Sequence, residues 1–247
     1  DVRMVATSAT RDARNKDEFF AMTAELLGQI RPGACAQVIT GEEEAKLSFI
    51  GAVAYLSKEQ GPFCVIDLGG GSTEFVVGVA GGQLLGSYSS QMGCVRISER
   101  IMQSDPLTPE EVEAARQYVA ERLAEVQEIV PIASAKTFVG CAGTFTTIAA
   151  LVLGLEKYEP KAIHDCHLRF DGLRALTREL ISITSAERRA NPVIPPGRAD
   201  VIAGGAVVVD GIVDMITEQT KVREIVISEM DILDGIVAEL IDESKKN

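Results

Sequence analysis

Apolar residues in the first sixty positions switch between strand spacing and helix spacing. Residues 2–6 alternate as a strand does, residues 17–30 repeat apolar side chains at helical intervals, and residues 36–39 predict a second strand. A second helix is predicted over residues 42–56, because Thr40 and Glu43 have the spacing of a capping box. This part of the chain is therefore predicted to fold in the order strand, helix, strand, helix.

A longer pattern of the same α/β class follows Gly61-Pro62, which marks a predicted boundary. Three consecutive strands come first, and Gly81-Gly82 forms the turn before the third, which ends at Ser90. The later pattern predicts helices over residues 95–102, 109–130, 144 onward, 172–183, 198–219 and 231–242, and strands over residues 137–139, 167–170 and 224–227.

The turn between the first two of these strands carries the most informative residues. Asp67 ends the first strand, and the residues that follow it in the turn are Gly69, Gly70, Gly71, Ser72 and Thr73. Consecutive glycines expose backbone N–H groups with no Cβ nearby, which is how a chain binds phosphate oxygens. Asp67 is then placed to face a metal ion bound by that phosphate. The alternative is a glycine-rich surface hairpin.

This turn differs from the two common phosphate loops. It lacks the Gly-Lys-Ser/Thr ending of a P-loop, and it leads into a strand rather than into the helix of a Rossmann loop. A phosphate loop inside an antiparallel hairpin is typical of the actin-like, sugar-kinase and Hsp70-type ATPase fold. Two RNase H-like domains of that fold enclose a phosphate chain between them.

Six stretches, in the family's order across nearly the whole chain, resemble the exopolyphosphatase/guanosine pentaphosphate phosphohydrolase (Ppx/GppA) family. They are residues 6–15 (ATSATRDARN), 39–45 (ITGEEEA), 65–74 (VIDLGGGSTE), 92–95 (MGCV), 140–144 (GCAGT) and 194–202 (IPPGRADVI). The resemblance implies an RNase H-like, actin-like ATPase fold. Residues 1–60 would be the C-terminal part of a first domain and residues 61–247 a complete second domain, with the last helix packing back on the first.

The family's first phosphate hairpin, of the type Asp-x-Gly-Ser-Asn-Ser, is not found near the start of this sequence. We therefore expect the chain to be a fragment of a longer protein and a poor enzyme on its own. Restoring a segment with such a hairpin is expected to recover phosphate release.

The resemblance also assigns residues to the reaction and to phosphate binding. Glu44 would be the base that activates water. The helix dipole favours carboxylates at this helix start whatever the function, which accounts for Glu42 and, through the cap, Glu43. Arg11 would bind phosphate through its guanidinium fork. The alternative for Arg11 is a surface turn residue paired with Asp12.

The resemblance further implies a metal site for Mg²⁺ or Mn²⁺ and a second anion site. Asp67 and Glu74 would contribute to the metal site. Alternatively, Asp67 caps the glycine turn and Glu74 faces outward from its strand. Gly143 and Thr144 would offer helix N–H groups to phosphate, or would serve close helix–strand packing. Arg198 would contact substrate, although helix entry alone explains the prolines before it.

Composition narrows the class of partner. The chain has 247 residues, 46% of them hydrophobic, and a net charge of −12, which argues against nucleic acid. A polyphosphate substrate would then need local positive charge, accompanying divalent cations or a basic segment elsewhere. Five scattered cysteines predict reduced thiols in a cytoplasmic protein. His164, Cys166 and His167 are close in sequence but lack a further ligand with zinc-site spacing.

The uncharged stretch over residues 137–155 is long enough to span a bilayer. Gly140, Gly143 and several threonines interrupt it, so a buried strand, turn and core helix are predicted instead, without a membrane partner. A homodimer is left open.

Taken together, these features predict a metal-assisted phosphohydrolase that removes terminal phosphate from inorganic polyphosphate or from guanosine pentaphosphate. One alternative is an ATP-dependent kinase of the same superfamily, which transfer of phosphate to an acceptor other than water would reveal. The other is a non-catalytic sensor of alarmone or polyphosphate, which would bind without releasing phosphate.

Overall fold

A computed structural model describes residues 2–7, 10 and 13–245. Two short strands, β1 (Val5–Ala6) and β2 (Gln37–Val38), form a small parallel sheet. The strands of the main sheet are β3 (Phe63–Leu68), β4 (Thr73–Val79), β5 (Gln83–Ser90), β6 (Thr137–Cys141), β7 (Cys166–Arg169) and β8 (Glu224–Ile227).

The main sheet has the strand order β5-β4-β3-β6-β8-β7. Strands β3, β4 and β5 form an antiparallel meander, and β6 and β8 continue the sheet parallel to β3. Strand β7 closes one edge, antiparallel to β8. A meander followed by two parallel strands is the arrangement of an RNase H-like domain, which confirms the predicted α/β fold class.

Helices cover both faces of this sheet. In chain order they are α1 (Lys16–Gly28), α2 (Gly41–Val53), α3 (Cys94–Arg100), α4 (Pro109–Ile129), α5 (Ala142–Val152), α6 (Pro160–Ile163), α7 (Phe170–Ser182), α8 (Ser185–Ala190), α9 (Ile202–Gln219) and α10 (Ile232–Ser244). Because side chains alternate along a strand, β3 contributes to two cores. Cys64, Ile66 and Leu68 belong to the larger core with residues of α4, α5 and α9, whereas Phe63 and Val65 pack with α2.

Helix α10 packs closely against α2 through two glycines. A Cβ atom at Gly51 would lie 1.9 Å from the carbonyl oxygen of Asp231, and one at Gly235 would lie 2.0 Å from that of Leu47. The two helix backbones can therefore approach only if both positions lack a side chain. This contact places the last helix against the first sixty residues, while the division into domains at residue 61 stays a prediction.

Arg3 adds a polar link between the same elements. It donates to Glu43 on α2 at 3.1 Å and to Glu239 on α10 at 2.8 Å. At the start of α2, Thr40 accepts a hydrogen bond from the backbone N–H of Glu43 at 3.1 Å, as the capping sequence predicts. The carboxylate of Glu43, however, forms an ion pair with the guanidinium of Arg3 and does not take the second bond of the capping box.

The uncharged stretch over residues 137–155 forms β6 and α5, which confirms the prediction of a buried strand and core helix. Across the described residues, no helix is both long enough and apolar enough to cross a membrane.

Candidate functional site

The glycine loop between β3 and β4 rests on the first turn of α3. Its turn is closed by the backbone N–H of Gly69, which donates to the carbonyl of Ser72 at 3.0 Å. The carbonyls of Gly69 and Gly70 accept hydrogen bonds from three consecutive backbone N–H groups of α3, at 3.0 to 3.1 Å; these belong to Cys94, Val95 and Arg96. The loop carbonyls therefore cap the helix start.

Close packing of the loop against α3 requires glycine at position 93 and leaves little room beside Gly70, whereas a Cβ atom at Gly71 would make only an ordinary contact, 3.7 Å from Nη2 of Arg96. A Cβ atom at Gly93 would lie 2.2 Å from the carbonyl oxygen of Gly70, and one at Gly70 would lie 3.2 Å from Val95. The backbone N–H groups of Gly70 and Gly71 donate to no group in the part of the chain that the structure describes. These two donors, with no Cβ atom beside them, can bind an anion.

Ser72 and Thr73 are both buried, with 8% and 0% of their surface exposed. The hydroxyl of Thr73 donates to the carbonyl of Met92 and so fixes the end of the loop. Direct phosphate contacts from these two residues stay predictions.

Asp67 and Glu74 lie directly opposite each other on β3 and β4, on the sheet face that α2 covers. Ser48 of α2, which is fully buried, donates its hydroxyl hydrogen bond to Oδ2 of Asp67 at 2.9 Å. Burial, together with the carboxylates of Glu74 and Asp231, raises the pKa of Asp67 to about 6. The Ser48 hydrogen bond acts in the opposite direction.

Glu74 faces inward. Only 5% of its surface is exposed, and Oε1 accepts a hydrogen bond from the hydroxyl of Ser89 on β5 at 2.7 Å. This excludes the alternative in which Glu74 points outward from its strand, because alternation places it on the same face as Asp67. Its role at a metal ion stays a prediction.

Glu44 lies in the first turn of α2, where its backbone N–H bonds to the carbonyl of Thr40 at 2.9 Å. Ser48 follows four residues later, so Glu44 and Ser48 share one face of the helix. The Ser48 bond to Asp67 therefore orients that face toward the end of β3. Neither Ser48 nor Ser89 was identified from the sequence.

The second anion site of the sequence analysis lies where β6 turns into α5. Ala142, at this turn, has a φ of 67°, a left-handed conformation that is strained for a residue with a side chain. A Cβ atom at Gly143 would lie 2.2 Å from Nη2 of Arg198, so the guanidinium lies against the helix N-terminus. Nη1 of Arg198 donates to the hydroxyl of Thr147 at 2.7 Å.

This placement brings two positive charges together. No carboxylate among the described residues forms an ion pair with Arg198, and the N-terminus of a helix carries a partial positive charge. An anion that contacts both the guanidinium and the N–H groups of this helix start would be bound by both. The structure thus brings together Gly143 and Arg198, which were predicted from the sequence as two separate contacts.

Arg188 on α8 holds the segment that carries Arg198. It is 3% exposed and donates to the carbonyls of Ala199, Leu180 and Ile183 at 2.6 to 2.8 Å. Three backbone carbonyls thus accept hydrogen bonds from this buried guanidinium, and the bond to Ala199 links α8 to the segment that carries Arg198.

Arg11 and the two histidines are the remaining candidates from the sequence. Arg11 lies outside the described residues. His167 pairs with Glu224 at 2.9 Å, and Nδ1 of His164 accepts from the backbone N–H of Glu229 at 3.3 Å. Both histidines therefore have contacts that do not require a metal.

The Asp67 region suits a hydrated divalent cation better than a closed protein cage. Within the described residues, no three His, Cys, Asp or Glu side chains are grouped so that they could hold one metal ion. Mg²⁺, however, keeps several waters and usually takes only one or two carboxylates together with substrate phosphates. Two facing carboxylates, one with a raised pKa, fit that requirement because a cation would relieve their repulsion.

Comparison with known proteins places the chain in a family. Residues 1–243 match the Ppx/GppA phosphatase family. Exopolyphosphatase 2 of Mycobacterium tuberculosis is 48% identical over 239 residues, which cover 97% of this chain and 74% of that protein.

Two solved structures are also similar. One is an exopolyphosphatase-like protein, with a TM-score of 0.89 and 38% identity over 97% of this chain and 77% of its own. The other is the Aquifex aeolicus PPX-GPPA enzyme, with a TM-score of 0.81 and 30% identity over 96% of this chain and 75% of its own. From its motifs, its fold and these similarities, the chain belongs to the Ppx/GppA phosphatase family.

Proposed function

We propose that this chain is a phosphohydrolase that releases terminal phosphate from inorganic polyphosphate or from guanosine pentaphosphate. The observation that carries the proposal is the hydrogen bond from Ser48 to Asp67. It joins the helix that bears Glu44 to the strand that ends at the glycine loop. A candidate base, a carboxylate and free phosphate-binding amides thus share one end of the sheet.

In the proposed mechanism, the amides of Gly70 and Gly71 bind oxygens of the terminal phosphate. Arg198 and the N-terminus of α5 bind further phosphate groups. Glu44 orients a water molecule for in-line attack and accepts its proton. Asp67, with Glu74 beside it, would hold Mg²⁺ or Mn²⁺, which when bound supplies positive charge against the phosphate oxygens.

The charge of the chain limits how the substrate is bound. With a net charge of −12, the protein as a whole repels a polyanion. Binding must therefore come from local donors, such as Arg198 and the glycine amides, and from a cation that accompanies the substrate.

The test is phosphate release from inorganic polyphosphate and from guanosine pentaphosphate by the intact protein, with Mg²⁺ and with a chelator. We expect release from polyphosphate that stops when the chelator is added. Release from guanosine pentaphosphate at a similar kcat/KM would establish the second substrate. Tight binding of both compounds without release would instead support a sensor and contradict the proposal.

A further inference from the structure

A groove of about 320 Å³ lies beside the glycine loop on the side of α3. Its lining residues are Gly70, Gly71, Val95, Arg96, Glu99 and Arg100. Two of these, Gly70 and Gly71, are the residues whose amides are proposed to bind the terminal phosphate. The groove is therefore continuous with the candidate site.

Arg96 is held at the wall of this groove by neutral groups. Its Nε donates to the carbonyl of Gly71 at 2.6 Å and its Nη2 to Oε1 of Gln91 at 2.9 Å. A guanidinium has five N–H donors, so donors remain for a ligand. No described carboxylate lies within ion-pair distance of Arg96, and its charge is thus not neutralised by the protein.

Arg100 follows one helical turn later on α3 and is exposed. Residues four apart on a helix are neighbours, so Arg96 and Arg100 form a short basic stripe along the groove. Glu99 also lines the groove, but it forms no ion pair with either arginine within the described chain. Two uncompensated arginines are notable because acidic residues outnumber basic ones, at 36 against 24.

We infer that Arg96 and Arg100 form an anion subsite for phosphate groups farther along a linear polyphosphate chain. This inference rests on the proposed function and adds a determinant of chain length to it. Arginine suits the task because its fork makes charge-assisted hydrogen bonds to phosphate oxygens. A short substrate is held at the glycine loop and at α5 alone, whereas a long one also reaches the groove.

The test compares tripolyphosphate with a long-chain polyphosphate in the intact protein and in Arg100→Ala. Arg100 is the position to change, because Arg96 is also bonded to the glycine loop. The ratio of kcat/KM for the long chain over that for tripolyphosphate should fall about fivefold. Arg178 on α7 is a matched control, since it is also exposed and forms no ion pair with a described carboxylate; Arg178→Ala should leave the ratio unchanged.

A binding measurement separates this inference from the proposed function. Titration of long-chain polyphosphate in the presence of a chelator should show weaker binding to Arg100→Ala, with a smaller salt dependence. If the wild-type protein hydrolyses neither substrate, the proposed function fails, and this titration still decides the subsite. If hydrolysis occurs but both the ratio and the binding are unchanged in Arg100→Ala, the subsite is wrong and the proposed function stands.

Discussion

Glu44→Gln is expected to lower turnover by about two orders of magnitude or more, with little change in KM. The substitution keeps the shape of the side chain and removes its ability to accept a proton. Glu44 lies in the first turn of α2, on the helix face that Ser48 fixes toward Asp67. The phosphate-binding amides of the glycine loop are untouched, so substrate binding should persist.

The control for this variant is Glu42→Gln. Glu42 is exposed in the same helical turn, and it carries the same favourable interaction with the helix dipole. Turnover by Glu42→Gln should match the wild-type protein. Equal turnover by all three proteins, measured as phosphate release at saturating substrate, would exclude Glu44 as the base.

Asp67→Asn is expected to weaken the Mg²⁺ dependence of turnover more than it weakens substrate binding. The amide oxygen of asparagine is a poorer ligand for a hard cation than a carboxylate, while the amides of Gly70 and Gly71 remain available to phosphate. Turnover should therefore require a higher Mg²⁺ concentration. A Mg²⁺ titration curve identical to that of the wild-type protein would remove Asp67 from the metal site.

The same variant should be more stable than the wild-type protein in metal-free buffer at neutral pH. The pKa of Asp67 is raised to about 6 in the folded protein, mainly by burial, against an ordinary value of 3.8. The folded state therefore binds this proton more tightly than the unfolded state, and ionisation destabilises the fold progressively as pH rises from about 4 to about 6. Above that window the destabilisation is on the order of 3 kcal/mol.

Thermal unfolding with a chelator measures this effect. The Tm of Asp67→Asn should exceed that of the wild-type protein at pH 7.5, and the difference should shrink toward pH 4. Added Mg²⁺ should raise the Tm of the wild-type protein more than that of the variant. If the difference in Tm does not change with pH, ionisation of Asp67 does not destabilise the folded protein.

The fold was predictable where local patterns are strong. The glycine turn, its flanking strands, α4 and β8 all lie within a few residues of their predicted positions. Helix α8 was missed because Ser185–Ala190 is too short to show an apolar period. The feature that could have revealed this helix is the capping box of Thr184 and Glu187. In the structure, the side chain of each residue accepts a hydrogen bond from the backbone N–H of the other.

One boundary was wrong for a definable reason. The helix predicted over residues 198–219 begins at Ile202, and Arg198 belongs to a preceding 3-10 turn. The prolines and glycine before Arg198 were interpreted as the start of the long helix. In the structure they belong to the separate 3-10 turn instead. The turn matters because it places the guanidinium of Arg198 against Gly143.

The site was only partly predictable, because several contacts join distant segments. Ser48 is 19 residues from Asp67, and Arg198 is 51 residues from Thr147. Nothing in the local sequence of a helix serine distinguishes a structural hydroxyl from one that bonds to a site carboxylate. The burial of Glu74, by contrast, could have been inferred from the sequence. It lies two residues before the apolar Val76, and residues two apart on a strand share one face.

The most direct test of the account follows the oxygen atom that attacks the phosphate. The intact protein would be incubated with polyphosphate and Mg²⁺ in ¹⁸O-labelled water, with a nucleoside diphosphate present as a competing acceptor. Attack by water oriented by Glu44 predicts released phosphate that carries a labelled oxygen, and no nucleoside triphosphate. Transfer of phosphate to the nucleotide, with no labelled phosphate released, would contradict the account and identify the chain as a kinase.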